Sequence, residues 1–323
     1  RSGDDPDLFY GQTKWIMANR DSHNILGAIH NGDIVDNATV LSQWAIADKA
    51  MAFLEEPLTG LPDGLPFGVA VGNHEQNPNS SYGGTEERNK HFGIDRFKNR
   101  AYYGGHYGSN NDESWYTFSA GGLDFVVVSF SYNTDPDAAI LNWAKSIFQQ
   151  YPGAFGIVNA HYIIGSGAGF GSQGKAIYDA LKGLPNVQIF TNGHVSGEAR
   201  RTDTYNGNVI HTMLADYQSR DHGGDGWMRI WEFSPANNEL TVRTYSPALD
   251  KYETDDNSEF TLPIDLRGSG GPFNAVATVA PATEIVTTSL PGIKPGRTYE
   301  WYATVSDCVH QVTSPLRRFT TAP

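Results

Sequence analysis

The sequence predicts an α/β fold in which β-sheets pack against flanking helices, followed by a small all-β segment. In the first part of the chain, apolar runs alternate with stretches in which apolar residues recur at helical spacing, which is typical of βα repeats. Between residues 209 and 264, short apolar runs joined by turns predict a β meander. A glycine-rich stretch at 267–272 then separates a last part with strand-like alternation.

The composition is that of a globular protein with an acidic surface. With 323 residues, 39% of them hydrophobic and 12% aromatic, the chain can bury a large core. The net charge of −13 and the pI near 5.1 argue against binding to nucleic acid or to anionic membranes, which both depend on clustered cations. No apolar run approaches the roughly 20 residues of a membrane span. The single cysteine, Cys308, excludes an intramolecular disulfide framework.

The balance of polar residues favours an exported protein. The chain is rich in Asn, Gly, Tyr and Trp and contains few lysines, so we expect a secreted or extracellular location. Glycosylation sequons begin at Asn37 and Asn79, and they are used only in a secretory host. Because the chain begins at Arg1 rather than Met, we expect its start to be processed, trimmed or incomplete.

The elements of the first part follow from apolar spacing. A helix is predicted where apolar residues recur every three or four positions, as Val40, Trp44, Ala47 and Met51 do, and a buried strand where a short apolar run is bounded by turn residues. The predicted strands are 25–29, 67–71, 123–130, 154–159 and 187–191. The predicted helices are 7–16, 37–54, 86–97, 136–151 and 175–181, and the Gly- and Tyr-rich residues 102–109 are predicted to form a loop.

The second part reads as strands joined by short loops. These strands are predicted at 209–214, 227–233, 240–245 and 260–264. Three regions follow from the changes in pattern: a main domain over 1–266, a linker over 267–272, and a β segment over 273–323 in which Tyr299 and Trp301 alternate with polar neighbours.

Four polar residues each follow an apolar strand of the first part. They are Asp33, Asn73, His161 and His194, and in the predicted sheet they converge on the edge where ligands bind to α/β proteins. One carboxylate, one amide oxygen and two imidazoles are ligands of a borderline divalent metal ion. Taken singly, such an Asp is more often a turn or helix cap, and such a His is more often a hydrogen-bonded core residue. A glycine beside three of the four favours the joint interpretation as a metal site.

At these positions the chain resembles the calcineurin-like metallophosphoesterases. The resemblance covers roughly residues 7–266, and its later blocks are typical of an exported bacterial branch of the family. The matching blocks are Gly-Asp-Ile-Val-Asp (32–36), Gly-Asn-His-Glu (72–75), Ala-His (160–161), Gly-His (193–194), Arg-Arg-Thr-Asp (200–203), Ala-Asp-Tyr-Gln (215–218), Gly-Gly-Asp-Gly-Trp (223–227) and Thr-Tyr-Ser-Pro (244–247).

The resemblance implies a four-layer α/β/β/α fold and a site for two divalent ions such as Zn, Fe or Mn. It implies that Asp33 bridges the two ions and that Asn73, His161 and His194 complete the second ion's ligands. His74 would protonate the leaving oxygen or hold the phosphoryl group, so that Asp33 and His74 carry the catalysis. Glu75 and Asp36 would orient ligands, with capping of the following helix as an equal alternative for Asp36.

Two departures from the family pattern bear on the other ion. The family's first block, an Asp followed two residues later by His or Gln, has no counterpart before Asp7. The last block normally reads Gly-His-x-His, whereas Ser196 stands here in place of the first ion's histidine. The sequence therefore predicts one well-supported metal site, a doubtful second site and a missing first strand. That strand is absent from a trimmed chain, supplied by another copy in a homo-assembly, or lost in a degenerate protein.

The last 51 residues, 273–323, resemble the closing strands of a fibronectin type III domain, an Ig-like fold, with Tyr299 as the corner tyrosine. Such a domain needs about 90 to 100 residues, so this segment is predicted to be partial.

Three functions follow from these patterns. The leading hypothesis is a metal-dependent hydrolase of phosphomonoesters or phosphodiesters that uses a metal-activated water, with a phosphate ester as its partner. The alternative is a catalytically degenerate scaffold, an adhesive or assembly-forming extracellular protein that retains the fold. A third interpretation is a module that binds phosphorylated ligands through a single ion.

Overall fold

A computed structural model gives the three-dimensional structure of the chain. It describes residues 5–58, 60–79, 83–120, 123–133, 135–235, 237–266, 295–296, 298–301, 303–306, 311–314 and 317–322. The predicted linker over 267–272 and Cys308 lie outside these residues.

The helices of the described residues lie between residues 6 and 224. They are α1 (Pro6–Ala18), α2 (Leu41–Ala52) with a 3-10 turn (Phe53–Glu55), α3 (Glu86–Phe92), α4 (Ile94–Phe97), α5 (Ala138–Gln150), α6 (Ser172–Leu181) and the short α7 (Asp221–Gly224). None of the helices in the described part of the chain is long and apolar enough to cross a membrane.

The strands of the described residues lie between residues 28 and 263 and, in the C-terminal segment, between residues 298 and 320. They are β1 (Ala28–His30), β2 (Phe67–Val69), β3 (Tyr103–His106), β4 (Ser114–Ala120), β5 (Leu123–Phe130), β6 (Phe155–Ala160), β7 (Val187–Asn192), β8 (Gly197–Tyr205), β9 (Asn208–Asp216), β10 (Met228–Ser234), β11 (Glu239–Ser246), β12 (Lys251–Glu253), β13 (Phe260–Pro263), β14 (Thr298–Trp301), β15 (Thr304–Ser306), β16 (Gln311–Thr313) and β17 (Arg317–Thr320).

A seven-stranded sheet forms the centre of the part of the structure between residues 5 and 266. Its strand order is β3-β4-β5-β6-β7-β9-β8. The inner strands β5, β6, β7 and β9 run parallel, and β3–β4 and β8 are added antiparallel at the two edges. The parallel strands are buried on both faces, which is why they appear in the sequence as continuous apolar runs.

Two smaller sheets form a second β layer. β1 and β2 make a parallel pair, and β10 to β13 make an antiparallel sheet in which β11 pairs with β10, β12 and β13. On β11, Leu240 and Val242 point into the core shared with the central sheet. Tyr245 lies on the opposite face of that strand, where its ring contacts Trp15 of α1 at 5.0 Å. Helix α1 therefore covers the outer side of this layer.

Alternation along the central strands separates two cores. Phe125 and Val127 of β5 join the core that faces the second β layer, together with side chains of α1 and α2. Val126 and Val128 join the core that faces α5 and α6. The layers thus follow the order helix, sheet, sheet, helix, and the predicted α/β/β/α fold is confirmed.

The structure departs from the sequence prediction mainly at the sheet edges. Residues 102–109 were predicted to be a loop but contain β3, and β4 and β8 were not predicted. Strand β8 carries the charged residues Arg200, Arg201 and Asp203 and lacks the apolar pattern of a buried strand. It tolerates these residues because it lies at the edge of the sheet, where one side is open to water. The helix predicted over 86–97 is broken into α3 and α4 at Gly93, whose ψ of −176° is extended.

The C-terminal segment contains two small antiparallel pairs, β14 with β17 and β15 with β16. The rings of Tyr299 and Phe319 stack across the first pair at 5.6 Å. The assignment of 273–323 to a partial fibronectin type III-like domain stays a prediction, because most of residues 267–297 lie outside the described part.

Candidate metal centre

The four predicted ligands meet where strands of both β layers end. Asp33 and Asn73 follow β1 and β2, whereas His161 and His194 follow β6 and β7. The sequence predicted one sheet edge, but the four residues come from two sheets packed face to face. This arrangement works because both strand pairs are parallel and present their carboxyl ends on the same side of the molecule.

The ligand atoms converge on the Nε2 atom of His161. This nitrogen lies 3.2 Å from Asp33 Oδ2, 3.1 Å from Asn73 Oδ1 and 3.1 Å from His194 Nδ1. The ligand atoms of Asp33, His161 and His194 all lie within 4.8 Å of one another, and Asp33 and His161 are buried.

The hydrogen-bond pattern of His161 indicates that the cluster requires a proton or a cation at Nε2. Its Nδ1 lies 2.8 Å from the backbone oxygen of Asn31, and because a carbonyl only accepts, Nδ1 carries a hydrogen. In the neutral ring Nε2 is then a lone pair that faces carboxylate and amide oxygens, an arrangement that only a proton or a cation makes favourable. A carboxylate, an amide oxygen and two imidazoles suit a borderline divalent metal ion, so the residues present fit such an ion.

Asp33 and His161 each stabilise the charged form of the other. Burial acts to raise the pKa of the Asp33 carboxyl, but His161 and His74 outweigh it and hold this pKa below its ordinary value. Burial likewise acts to lower the pKa of His161, and Asp33 outweighs it, so that this pKa is raised. Asp33 is therefore ionised at neutral pH, as a metal ligand must be, and a proton on His161 competes with a metal ion.

Unusual backbone conformations bring these side chains together. Asp33 and His194 have φ angles of 55° and 70°, in the left-handed region that non-glycine residues seldom adopt. Gly32 has a φ of 94°, and a Cβ at this position would lie 2.7 Å from His161 Nδ1 and 2.9 Å from the Gly72 nitrogen. The turn after β1 can therefore approach both His161 and the turn after β2 only because residue 32 is glycine.

Glu75 holds the turns after β1 and β2 together. Its buried carboxylate accepts hydrogen bonds from the backbone nitrogens of Asp33, Val35 and Gly72. Burial and, second, the charge of Asp33 raise the pKa of Glu75. The carboxylate is thus an anchor for the backbone on both sides of the predicted ligands and does not itself join the cluster around His161 Nε2.

His74 and Asp36 lie beside Asp33. His74 Nδ1 is 2.5 Å from the Asp36 backbone oxygen, and His74 Nε2 is 3.8 Å from Asp33 Oδ2. The Asp36 carboxylate lies 3.7 Å from His74 Nδ1 and is half exposed. Helix α2 begins at Leu41 with Val40 as its N-cap, so Asp36 does not cap it.

Other residues around the cluster carry no strong sequence signal. Asn73 Nδ2 donates to Asn79 Oδ1 at 2.7 Å, which turns Asn73 Oδ1 towards His161. Tyr132 and Tyr162 place their rings against His194. Asn79 was noted only as a sequon, and the tyrosines lie far from each other in the sequence. Ser196, in the turn between β7 and β8, is exposed.

A second group of carboxylates lies elsewhere, at Glu198, Glu253 and Asp255. Arg220 pairs with Glu198 at 3.0 Å and with Glu253 at 2.7 Å, and Arg229 pairs with Glu198 at 3.1 Å. Because Glu198 and Glu253 are already paired with guanidinium groups, and Asp255 accepts hydrogen bonds from the backbone of Asn257 and from Ser258, the group is a network of ion pairs and hydrogen bonds.

Comparisons with known proteins add distant similarities. No family model matches the chain. An uncharacterized protein of Bacillus subtilis, YvnB, is 34% identical over 277 residues, which is 81% of this chain, and the chain spans only 21% of that protein's length. Among solved structures, the chain is similar to a dimetal phosphatase from Danio rerio with a TM-score of 0.49 and 11% identity, over 80% of this chain and 89% of that one.

Proposed function

We propose that the chain is a metal-dependent phosphoric ester hydrolase. The observation that carries the proposal is the convergence of Asp33, Asn73 and His194 on His161 Nε2 within 3.2 Å. The order of the Gly-Asp-Ile-Val-Asp, Gly-Asn-His-Glu, Ala-His and Gly-His blocks supports it, because these blocks resemble those of the calcineurin-like metallophosphoesterases. Of the three hypotheses, hydrolysis uses all of these features.

The residues of the centre have separate tasks in this proposal. Asp33, Asn73, His161 and His194 would hold a divalent ion of the Zn, Fe or Mn type. Such an ion, when bound, supplies Lewis-acid activation of a phosphoryl oxygen and a water nucleophile at neutral pH. The other ion of the family would lack one of its usual ligands here, because Ser196 stands in the place of a histidine.

His74 is the group proposed to handle the proton of the leaving group. Its Nδ1 is held by the Asp36 carbonyl, which keeps the ring in one orientation, and its side chain is 21% exposed. The imidazole is therefore anchored at one nitrogen and reachable at the edge of the centre. With both ring nitrogens protonated, its Nε2 would donate a proton to a leaving alkoxide or a hydrogen bond to a phosphoryl oxygen.

A phosphate ester is the proposed partner, and extracellular action is the proposed setting. With a net charge of −13, the chain repels anions as a whole, so a phosphate ester depends on positive charge supplied locally at the centre. The rich Asn, Gly and Tyr content that suggested secretion supports this setting.

The test is hydrolysis of p-nitrophenyl phosphate and of bis(p-nitrophenyl) phosphate after chelation and reloading with Zn, Mn or Fe. We expect turnover by the reloaded wild type, and turnover at the level of the chelated protein for His161→Ala and Asp33→Asn. His222→Ala is the control, because this histidine has 78% of its side chain exposed and lies outside the centre. A reloaded wild type that hydrolyses neither ester overturns the proposal, and a metal content below one ion per chain then favours the scaffold alternative.

A further inference from the structure

His194 lies between two tyrosine rings. Its ring centroid is 4.9 Å from that of Tyr132, with the planes tilted by 39°, and 5.0 Å from that of Tyr162, with a tilt of 46°. Tyr132 also contacts His161, edge to face, at 5.7 Å. We call Tyr132 and Tyr162 the aromatic bracket.

We propose that the aromatic bracket positions the His194 imidazole for metal binding, an inference that rests on the proposed metal centre. His194 has a left-handed backbone conformation at the end of β7, and it is the least buried of the three metal-ligating Asp and His residues. An imidazole ring can in general take several orientations about its two side-chain bonds unless neighbouring groups restrict it. Rings packed against it from two sides restrict that rotation and keep Nδ1 directed at His161 Nε2, 3.1 Å away.

Tyr132 is fixed by the turn that follows β2. Its backbone nitrogen donates to the Val71 carbonyl at 2.8 Å, and its own carbonyl accepts from Gln76 Nε2 at 2.8 Å. Val71 and Gln76 stand on either side of the Gly-Asn-His-Glu block. The ring against His194 is therefore held by the same turn that presents Asn73.

Tyr162 is fixed by the loop that leads into α6. A Cβ at Gly171 would lie 2.4 to 2.9 Å from the Tyr162 ring and hydroxyl, so the loop packs onto the ring only because residue 171 has no side chain. The Gly171 nitrogen donates to the Ile163 carbonyl at 2.9 Å, which closes the loop at this point. Gly169, in the same loop, has no atom within 4 Å of its Cβ position.

The first arm of the test measures the dissociation constant of Zn by calorimetry. We expect Tyr132→Leu and Tyr162→Leu to weaken binding about tenfold, the lower end of the range known for residues that orient metal ligands. The corresponding Phe variants should stay within about twofold of wild type. Gly171→Ala should behave like Tyr162→Leu, and Gly169→Ala like wild type. Leu variants that bind as wild type does, or Phe variants as weak as the Leu variants, overturn the proposal.

The second arm needs no metal and separates this inference from the proposed function. In metal-free protein with isotope-labelled histidines, the ring protons of His194, assigned with His194→Gln, should be shifted upfield by the neighbouring rings. The shift should be reduced in each Leu variant, which keeps one of the two rings, and retained in the Phe variants, and a shift unchanged by Leu overturns the bracket. If wild type binds no divalent ion, the proposed function fails and this arm still decides whether the two tyrosine rings pack against His194, which the bracket requires.

Discussion

At the scale of single residues, Gly32 has both a backbone conformation and a close approach to the centre that favour glycine. Its φ of 94° and the 2.7 Å between its Cβ position and His161 Nδ1 are two separate demands, one of conformation and one of space. Gly207 shares the conformational requirement, because its φ is 85°, but not the steric one, because nothing lies within 4 Å of its Cβ position. The two glycines therefore form a matched pair for experiment.

We predict that Gly32→Ala destabilises the protein more than Gly207→Ala does. The left-handed conformation should cost about 1–2 kcal/mol in either variant, and only Gly32→Ala adds a clash with His161 and Gly72. Chemical denaturation measures the free energy of unfolding of both. Zn affinity should fall in Gly32→Ala alone. Equal free energies of unfolding in the two variants would show that residue 32 is not in close contact with His161.

At the scale of elements, Glu198 connects the edge of the central sheet to the second β layer. It lies on β8, and its carboxylate bonds to Arg229 of β10 and to Thr244 of β11, as well as to Tyr217, Arg220 and Ser258. The Glu198 and Arg229 side chains are only 6% and 7% exposed. Burial acts to raise the pKa of Glu198, but the Tyr217 hydroxyl and Arg229 outweigh it, and the pKa lies below its ordinary value.

We predict that Glu198→Gln lowers the free energy of unfolding by about 3 kcal/mol, since it leaves Arg229 buried without its charge partner. The control is Glu232→Gln, whose partner Arg243 is exposed and whose loss should cost about 0–1 kcal/mol. Because the pKa of Glu198 is depressed in the folded state, its contribution to the free energy of unfolding is present above the pKa of the unfolded state. This contribution is lost as pH falls through the pKa of the folded state. A Glu198→Gln cost that persists unchanged at acid pH would contradict this assignment.

At the scale of the whole molecule, the two β layers are joined by polar contacts as well as by the apolar core. Gln188 of β7 exchanges two hydrogen bonds of 2.7 Å with the backbone of Asp265. His211 of β9 is buried, with Nε2 2.7 Å from the Pro263 carbonyl and Nδ1 2.9 Å from the Thr202 hydroxyl. The neutral imidazole satisfies both contacts, and burial lowers the pKa of His211.

We predict that His211 contributes a loss of stability as pH falls below about 6.5, where an unfolded histidine takes up a proton that buried His211 does not. This proton contributes at most about 1.4 kcal/mol per pH unit. Urea denaturation between pH 5.5 and 7.5 measures the dependence. His211→Gln should have a shallower slope than wild type, and His23→Gln, which replaces an exposed histidine, should match wild type. Identical slopes for all three proteins would exclude a contribution from His211.

The sequence was most informative for the buried strands and for the residues that directly follow them. The buried parallel strands and the residues that follow them could be predicted, because apolar runs and glycine turns are local features and place Asp33, Asn73, His161 and His194 at strand ends. Polar edge strands such as β8 could not, since one open side removes the apolar signal. The contacts of Tyr132, Tyr162 and Asn79 depend on how distant segments pack, which no local pattern records.

The ligand atoms are divided between layers, with Asp33 and Asn73 following strands of one sheet and His161 and His194 following strands of the other. Any sliding of the two sheets against each other changes the distances between these atoms. A bound ion would consequently cross-link the two sheets and oppose their sliding against each other. Mechanical extension of the chain should then require a greater force with metal than without it, and both sheets should rupture in a single step.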